Sequence, residues 1–339
     1  MKKVTIDDIA EAAGVSIKTV SRVFNHEPNV REITRDKVLA AAKDMRYRPN
    51  VAARGLASNK SFVIIHFHDN PNSDYLERVH QGIHKCCRAA GYFAVMEPFQ
   101  TPGPDCTLSY AEQAKDYLVE FPIDGVILSP PLCDNVDLIS VLREHNIPYV
   151  RLSPAHNPAS SSCTYVDDQA AAHMMTEHLI AQGHCKIAFI SGPENHGSSV
   201  ARRTGFLAAL TDAGLNTEAC PILHGDFSSR SGFKECETLL KSSSYVTAIF
   251  AANDDMAVGV MMAALKAGLD IPGELAIAGY DGSRVGNIVW PPLTTIRQPV
   301  HGLAERAAEL LLAHIRTPGL EFTQEKLPVQ LLVRGTSTP

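Results

Sequence analysis

The chain has 339 residues, 45% of them apolar and 20% charged, the make-up of a globular protein with length for two or three domains. Its longest apolar runs, such as 246–252 and 257–265, fall far short of a membrane span. The opening MKKVTIDDIAEAAG lacks the apolar stretch of a secretory leader, so a cytoplasmic protein is expected. Eight cysteines without C-x-x-C or zinc-finger spacing read as free thiols in a reducing compartment. No metal site and no cofactor are expected. The net charge of −6 speaks against a nucleic-acid partner until it is divided. Residues 1–60 carry 12 Lys and Arg against 7 Asp and Glu, and the remainder carries 19 against 30. A basic head on an acidic body is what results, and a basic head suits a phosphate backbone.

The first 48 residues predict three helices. Thr5, with Asp8 three residues on, caps a helix whose apolar side is Ile6, Ile9, Ala10 and Ala13. Gly14 and Val15 break it. Ser16 caps a second helix running through Phe24, with Val15, Val20, Val23 and Phe24 inward. A third runs from about Ile33 to Met45, its core side Val38, Ala41, Ala42 and Met45. A helix, a glycine-containing turn and a serine-capped helix make a helix-turn-helix. The outward stripe of its second helix is Ile17, Lys18, Ser21, Arg22 and Asn25. The N-terminal residues of a recognition helix meet base edges, so Ile17 and Lys18 are the leading base readers: Lys18 for guanine O6 and N7, Ile17 for a thymine methyl. Arg22 suits a base or a phosphate. Thr5, Ser16, Thr19, Ser21 and Asn25 are short donors suited to the backbone. After Pro49, the segment from Asn50 to Ala57 has weak helical character and hardly any core. It reads equally as a plain linker or as a hinge helix that wedges Leu56 into a minor groove.

From residue 62 the pattern changes to alternating strands and helices. Strands are expected at 62–67, 92–97, 125–129, 148–153, 186–192, 247–254 and 275–281, with helices such as 76–90 and 170–182 between them. That is an α/β arrangement of parallel sheets, and six or seven strands per unit over about 275 residues imply two similar lobes. Ligands in such folds sit beyond the C-terminal strand ends. There is no G-x-S-x-G elbow, P-loop or H-E-x-x-H, so an enzyme is not expected. His80 and His84, four residues apart, read as exposed polar positions on a helix.

VTIDDIAEAAGVSIKTVSRVFN followed by YRPNVAARGLASNKS resembles the LacI/GalR family of bacterial repressors. Ordered matches continue through VDDQAAAHMMTEHLIAQGH, ARRTGF, GDFSSRSGF, AIFAANDDMAVG, IAGYDGS and WPPLTTIRQP. The resemblance implies a helix-turn-helix domain over 1–48, a hinge helix and linker over 49–61, and an effector-binding and dimerisation core over 62–339. That core would be two interleaved Rossmann-like lobes of periplasmic-binding-protein type, joined by three crossovers. The hinge would place Asn50, Ala53, Arg54 and Leu56 on DNA, although the lysine common after this leucine is Ala57 here. ARRTGF places Arg202 in the cleft as a fork for two ligand oxygens, and GDF places Phe227 as an aromatic floor. AAND places Asn253, GYD places Asp281, and TTIRQP places Gln298. Tyr75 stands before the first core helix, and Ser153 occupies a place where relatives carry Asp or Arg. Without the resemblance, Arg202 reads as well as a surface ion-pair residue and Phe227 as ordinary core. The implied partners are a palindromic operator duplex, a second copy of the chain and a small-molecule effector. The His196-Gly197-Ser198 loop lacks a second cation, which favours a neutral sugar or glycoside over a purine-type corepressor. A sugar-binding protein without DNA binding is the remaining alternative, and the basic head argues against it.

Overall fold

The computed structural model describes residues 4–24, 29–45, 47, 60–242 and 245–338. Asn25, Asn50, Ala53, Arg54 and Leu56 lie outside the described residues, and so does the hinge expected there. The chain divides into two compact units, 1–62 and 63–339.

The first unit holds α1 (Ile6–Ala13), α2 (Ile17–Phe24) and α3 (Glu32–Asp44). The start of α1 is a reciprocal cap: the Asp8 amide donates to Thr5 Oγ1 and the Thr5 amide to Asp8 Oδ2. Gly14 ends it with a left-handed φ of 64°. Ser16 Oγ accepts from the Thr19 amide at 3.2 Å and so starts α2. Ile9, Val20, Val23 and Val38 close the centre of the unit, with Ala10 and Ala42 between them. Three short helices bury little surface, so this small core is what fixes the position of α2.

The second unit contains two six-stranded sheets. The first takes β1 (Val63–His68), β2 (Phe93–Pro98), β3 (Gly125–Leu128), β4 (Tyr149–Leu152), β5 (Cys163–Tyr165) and β11 (Gln324–Lys326), in the order β11-β5-β4-β3-β1-β2. The second takes β6 (Ile187–Ser191), β7 (Ile222–His224), β8 (Ala248–Ala251), β9 (Ala276–Asp281), β10 (Thr294–Arg297) and β12 (Gln330–Leu332), in the order β12-β10-β9-β8-β6-β7. Pairing is parallel except between β10 and β12. All seven expected strands are present. β5, β7, β10, β11 and β12 are additions; each has three or four residues, too short for a periodicity to register.

The helices of this unit are α4 (Ser73–Ala89), α5 (Tyr110–Glu120), α6 (Val136–Glu144), α7 (Asp168–Ala181), α8 (Gly197–Asp212), α9 (Ser229–Lys241), α10 (Asp254–Lys266), α11 (Val285–Ile288) and α12 (Val300–Arg316). Strands β3, β6, β8 and β9 are buried along their whole length, the expected state of parallel strands covered on both faces. The chain passes between the sheets three times: from β5 to β6, from β10 to β11 and from β11 to β12. Each lobe reverses its strand order beside its first strand, between β1 and β3 and between β6 and β8. Loops leaving the C-terminal ends of strands diverge at such a point and open a crevice.

A polar cavity between the two lobes

The loops that leave the C-terminal strand ends of both sheets surround one polar-lined cavity, the place where ligands bind in such folds. Its wall contains Tyr75, Ser153, Arg202, Phe227, Asn253, Asp281 and Gln298, all seven cleft residues expected from the sequence. It also contains Asn70 and Asn72 after β1, Pro130 after β3, Asp168 at the start of α7, and His196 and Ser198 beside the start of α8.

Arg202 is the centre of the second lobe's half. Only 5% exposed, it donates from Nε to Asp168 Oδ1 at 2.8 Å and from Nη1 to the Ala252 carbonyl at 2.7 Å. Its guanidinium lies 3.6 Å from the Tyr280 ring centre and 4.0 Å from Asp281 Oδ1. Burial works against its charge, but Asp168, Tyr280 and Asp281 outweigh burial and hold its pKa above the ordinary value. The expected fork for two ligand oxygens is therefore half used: two of the three nitrogens are bonded inside the protein. Asp168 carries no local signal of this role in VDDQ. A second acid at the start of a helix reads as a cap, and Asp167 does cap α7, through the Ala170 amide.

Asp281 ends β9 with a φ of 113° and accepts from Gln298 Nε2 at 2.7 Å. Burial raises its pKa to about 6, with Arg202 and Arg78 pulling the other way. Behind it Asp254, fully buried, is pushed up to about 7 by burial and by the charge of Asp281, while Thr295 Oγ1 at 2.6 Å and the Ser283 amide at 2.7 Å oppose that rise. Asn253 spends both ends on the protein. Its Oδ1 caps α10 through the Met256 amide and its Nδ2 donates to the Phe227 carbonyl, each at 3.0 Å. It therefore holds Phe227 in place, at a φ of 68°. The Phe227 ring stands edge-on to His196 and against Gly192, where a Cβ would come within 2.2 Å of the ring. Burial holds the His196 ring near a pKa of about 4, so it is neutral at physiological pH.

Two expectations need correction. Tyr75 does not precede the first core helix but lies in the first turn of α4, its amide bonded to the capping Asn72 Oδ1 at 2.8 Å. The capping asparagine lengthens the helix beyond where apolar spacing starts. His80 is not an exposed helix position: it is half-buried and its Nδ1 has no partner, while His84 is exposed. No group of His, Cys, Asp and Glu among the described residues has the arrangement of a metal site.

On the head, Ser16, Ile17 and Lys18 are exposed in one run, with Ile17 48% exposed. Thr19, Ser21 and Arg22 are half-buried. Ser16 and Thr19 hydroxyls bond each other at 2.9 Å. Thr5 has its side chain committed to Asp8 at 2.8 Å.

A helix-turn-helix unit together with a two-lobed receptor around a polar cavity defines an effector-responsive DNA-binding regulator. Residues 5–50 match the family model described as bacterial regulatory proteins, lacI family, and residues 176–338 match a periplasmic binding protein-like domain. The ribose operon repressor of Escherichia coli K12 is 32% identical over 98% of this chain and 99% of that protein. A lac repressor dimer bound to operator and the anti-inducer ONPF superposes with a TM-score of 0.76 at 30% identity, covering 99% of each chain. The complex of the regulator CelR with cellobiose superposes at 0.74 with 28% identity, over 98% of this chain and 100% of that one. The chain belongs to the LacI family of bacterial transcriptional repressors, and it is not an enzyme. No helix among the described residues is long and apolar enough to cross a membrane.

Proposed function

We propose that the protein is a homodimeric repressor of a carbohydrate uptake or catabolic operon, and that a neutral sugar or glycoside in the cavity sets its grip on a palindromic operator. The observation that carries the choice of effector is the charge balance of the cavity. Among the described residues, its one lining cation, Arg202, is already matched by Asp168 and Asp281, and His196 is neutral. An anionic ligand would find no spare positive charge, whereas hydroxyls find carboxylate, amide and hydroxyl partners beside the apolar face of Phe227. The cellobiose complex of the similar regulator agrees with this chemistry.

Ile17 and Lys18 would read base edges, with Arg22 beside them. Thr5, Ser16, Thr19, Ser21 and Asn25 would hold phosphates, and Asn50, Ala53, Arg54 and Leu56 would act from the hinge over 49–61, between a head of 1–48 and a core of 62–339. A two-fold dimer matches a two-fold operator. Both lobes carry large exposed apolar side chains that a second copy would cover: Phe93 on the edge strand β2, and Ile288 and Trp290 after β9, with Trp290 84% exposed. The test is duplex selection from the source genome with the full chain, followed by fluorescence anisotropy over a salt series. Binding to a palindromic site should weaken steeply with salt. Failure to bind any duplex at low salt refutes the reading.

A further inference from the structure

The lobes do more than enclose the cavity; they are bonded to each other across it. Asn72, the cap of α4 in the first lobe, donates from Nδ2 to the Asp255 carboxylate in the first turn of α10, at 2.6 Å. Arg78, farther along α4, donates from Nη1 and Nη2 to the main-chain carbonyl of Asp281, both at 3.3 Å. Its Nε lies 3.1 Å from Asp74 on its own helix, which fixes the direction of the guanidinium. The two partners in the second lobe bear on the cavity. Asp281 lines it and is bonded to Gln298, and Asp255 follows Asn253 and Asp254. The lobes also come close where a Cβ on Gly197 would stand 2.0 Å from Ala155.

We infer that Asn72 and Arg78 form a two-point latch between the lobes, and that Arg78 is a positioning residue for Asp281. It grips the backbone of Asp281 from the opposite lobe, so closure and the aim of the Asp281 carboxylate are one event. Neither bond serves the interior of a single lobe, because one joins the cap of α4 to the first turn of α10 and the other joins α4 to the end of β9. The latch raises the population of the closed form. A ligand that binds only that form gains apparent affinity in proportion to its population. This inference rests on the cavity being the effector site only for that last step; the latch itself is a property of the two lobes.

Hydrogen exchange on the full chain, with no ligand added, tests it. Arg78→Gln combined with Asp255→Ala should speed exchange at the cavity-rim amides Gly282 and Gln298 by about tenfold for each bond removed. Amides of β3 and β8 should keep their rates, which separates loss of the latch from general loosening. Asp255→Asn keeps an acceptor for Asn72 and should restore wild-type protection at that point. Unchanged rim amides in the double variant overturn the latch. Equal acceleration in β3 and β8 overturns it too, by assigning both residues to overall stability. Calorimetry with D-ribose and cellobiose as probes then examines the effector reading separately. Absence of heat with both sugars counts against that reading and leaves the exchange result standing.

Discussion

The reading face of the head and the lining of the cavity are both polar, and they are built in opposite ways. Ser16, Ile17 and Lys18 are neighbours in the chain, exposed, and held by one small apolar core beneath a single helix. The cavity residues come from the ends of many strands, are largely buried, and are bonded to one another before any ligand arrives. A protein that reads a duplex meets a partner that brings its own charge and water, so exposed side chains suffice. A protein that encloses a small molecule must satisfy each polar group in the dry wall itself. The head should therefore tolerate substitution on its face without loss of stability, and the cavity should not.

The largest expected effect is at Arg202. Replacing it with alanine leaves the Asp168 carboxylate buried without its cation and should destabilise the core by about 3–5 kcal/mol in urea unfolding, with loss of effector binding. A core as stable as wild type would remove the contrast with the head. Lys18→Ala should do the reverse. Operator affinity should fall roughly 10–100-fold, the worth of one base-reading side chain, while unfolding shifts by no more than about 0.5 kcal/mol. A matching loss of effector affinity in that variant would show that reading and sensing are not divided.

A further effect is in the pH dependence. Asp254 and Asp281 have folded pKa values of about 7 and about 6, above the ordinary 3.8. The folded chain thus keeps protons that the unfolded chain releases, and these two groups stabilise most at low pH. Their contribution is lost as pH rises from about 4 to about 7. Asp254→Asn should flatten that decline in a series of melting temperatures. A slope as steep as wild type contradicts the assignment.

The contrast also explains what the sequence made legible. The head's pattern is local: a cap, a glycine turn and a 3.6-residue apolar period over twenty residues, and it matched the structure nearly residue for residue. Seven strands in the core stand out as short, largely apolar runs set between helical stretches. The cavity needed the family resemblance, since no local spacing connects Tyr75 with Gln298. Even then the resemblance named residues without their bonds. Arg202 was expected to offer its whole fork, yet Asp168 and the Ala252 carbonyl occupy two of its nitrogens. Asn253 lines the cavity, and its side chain also caps α10 and holds Phe227. Asn72 and Asp255 are 183 residues apart, and such pairs appear only once both sheets are folded.

The central claim is that the head and the cavity, unlike in construction, are linked in free energy. Calorimetric titration of the effector sugar, alone and with the selected operator duplex saturating the head, measures that link most directly. Linkage requires the duplex to change sugar affinity by the same factor as the sugar changes duplex affinity, typically about 5–150-fold. An equal factor in both directions is the result the account predicts. Sugar affinity identical with and without the duplex would contradict it.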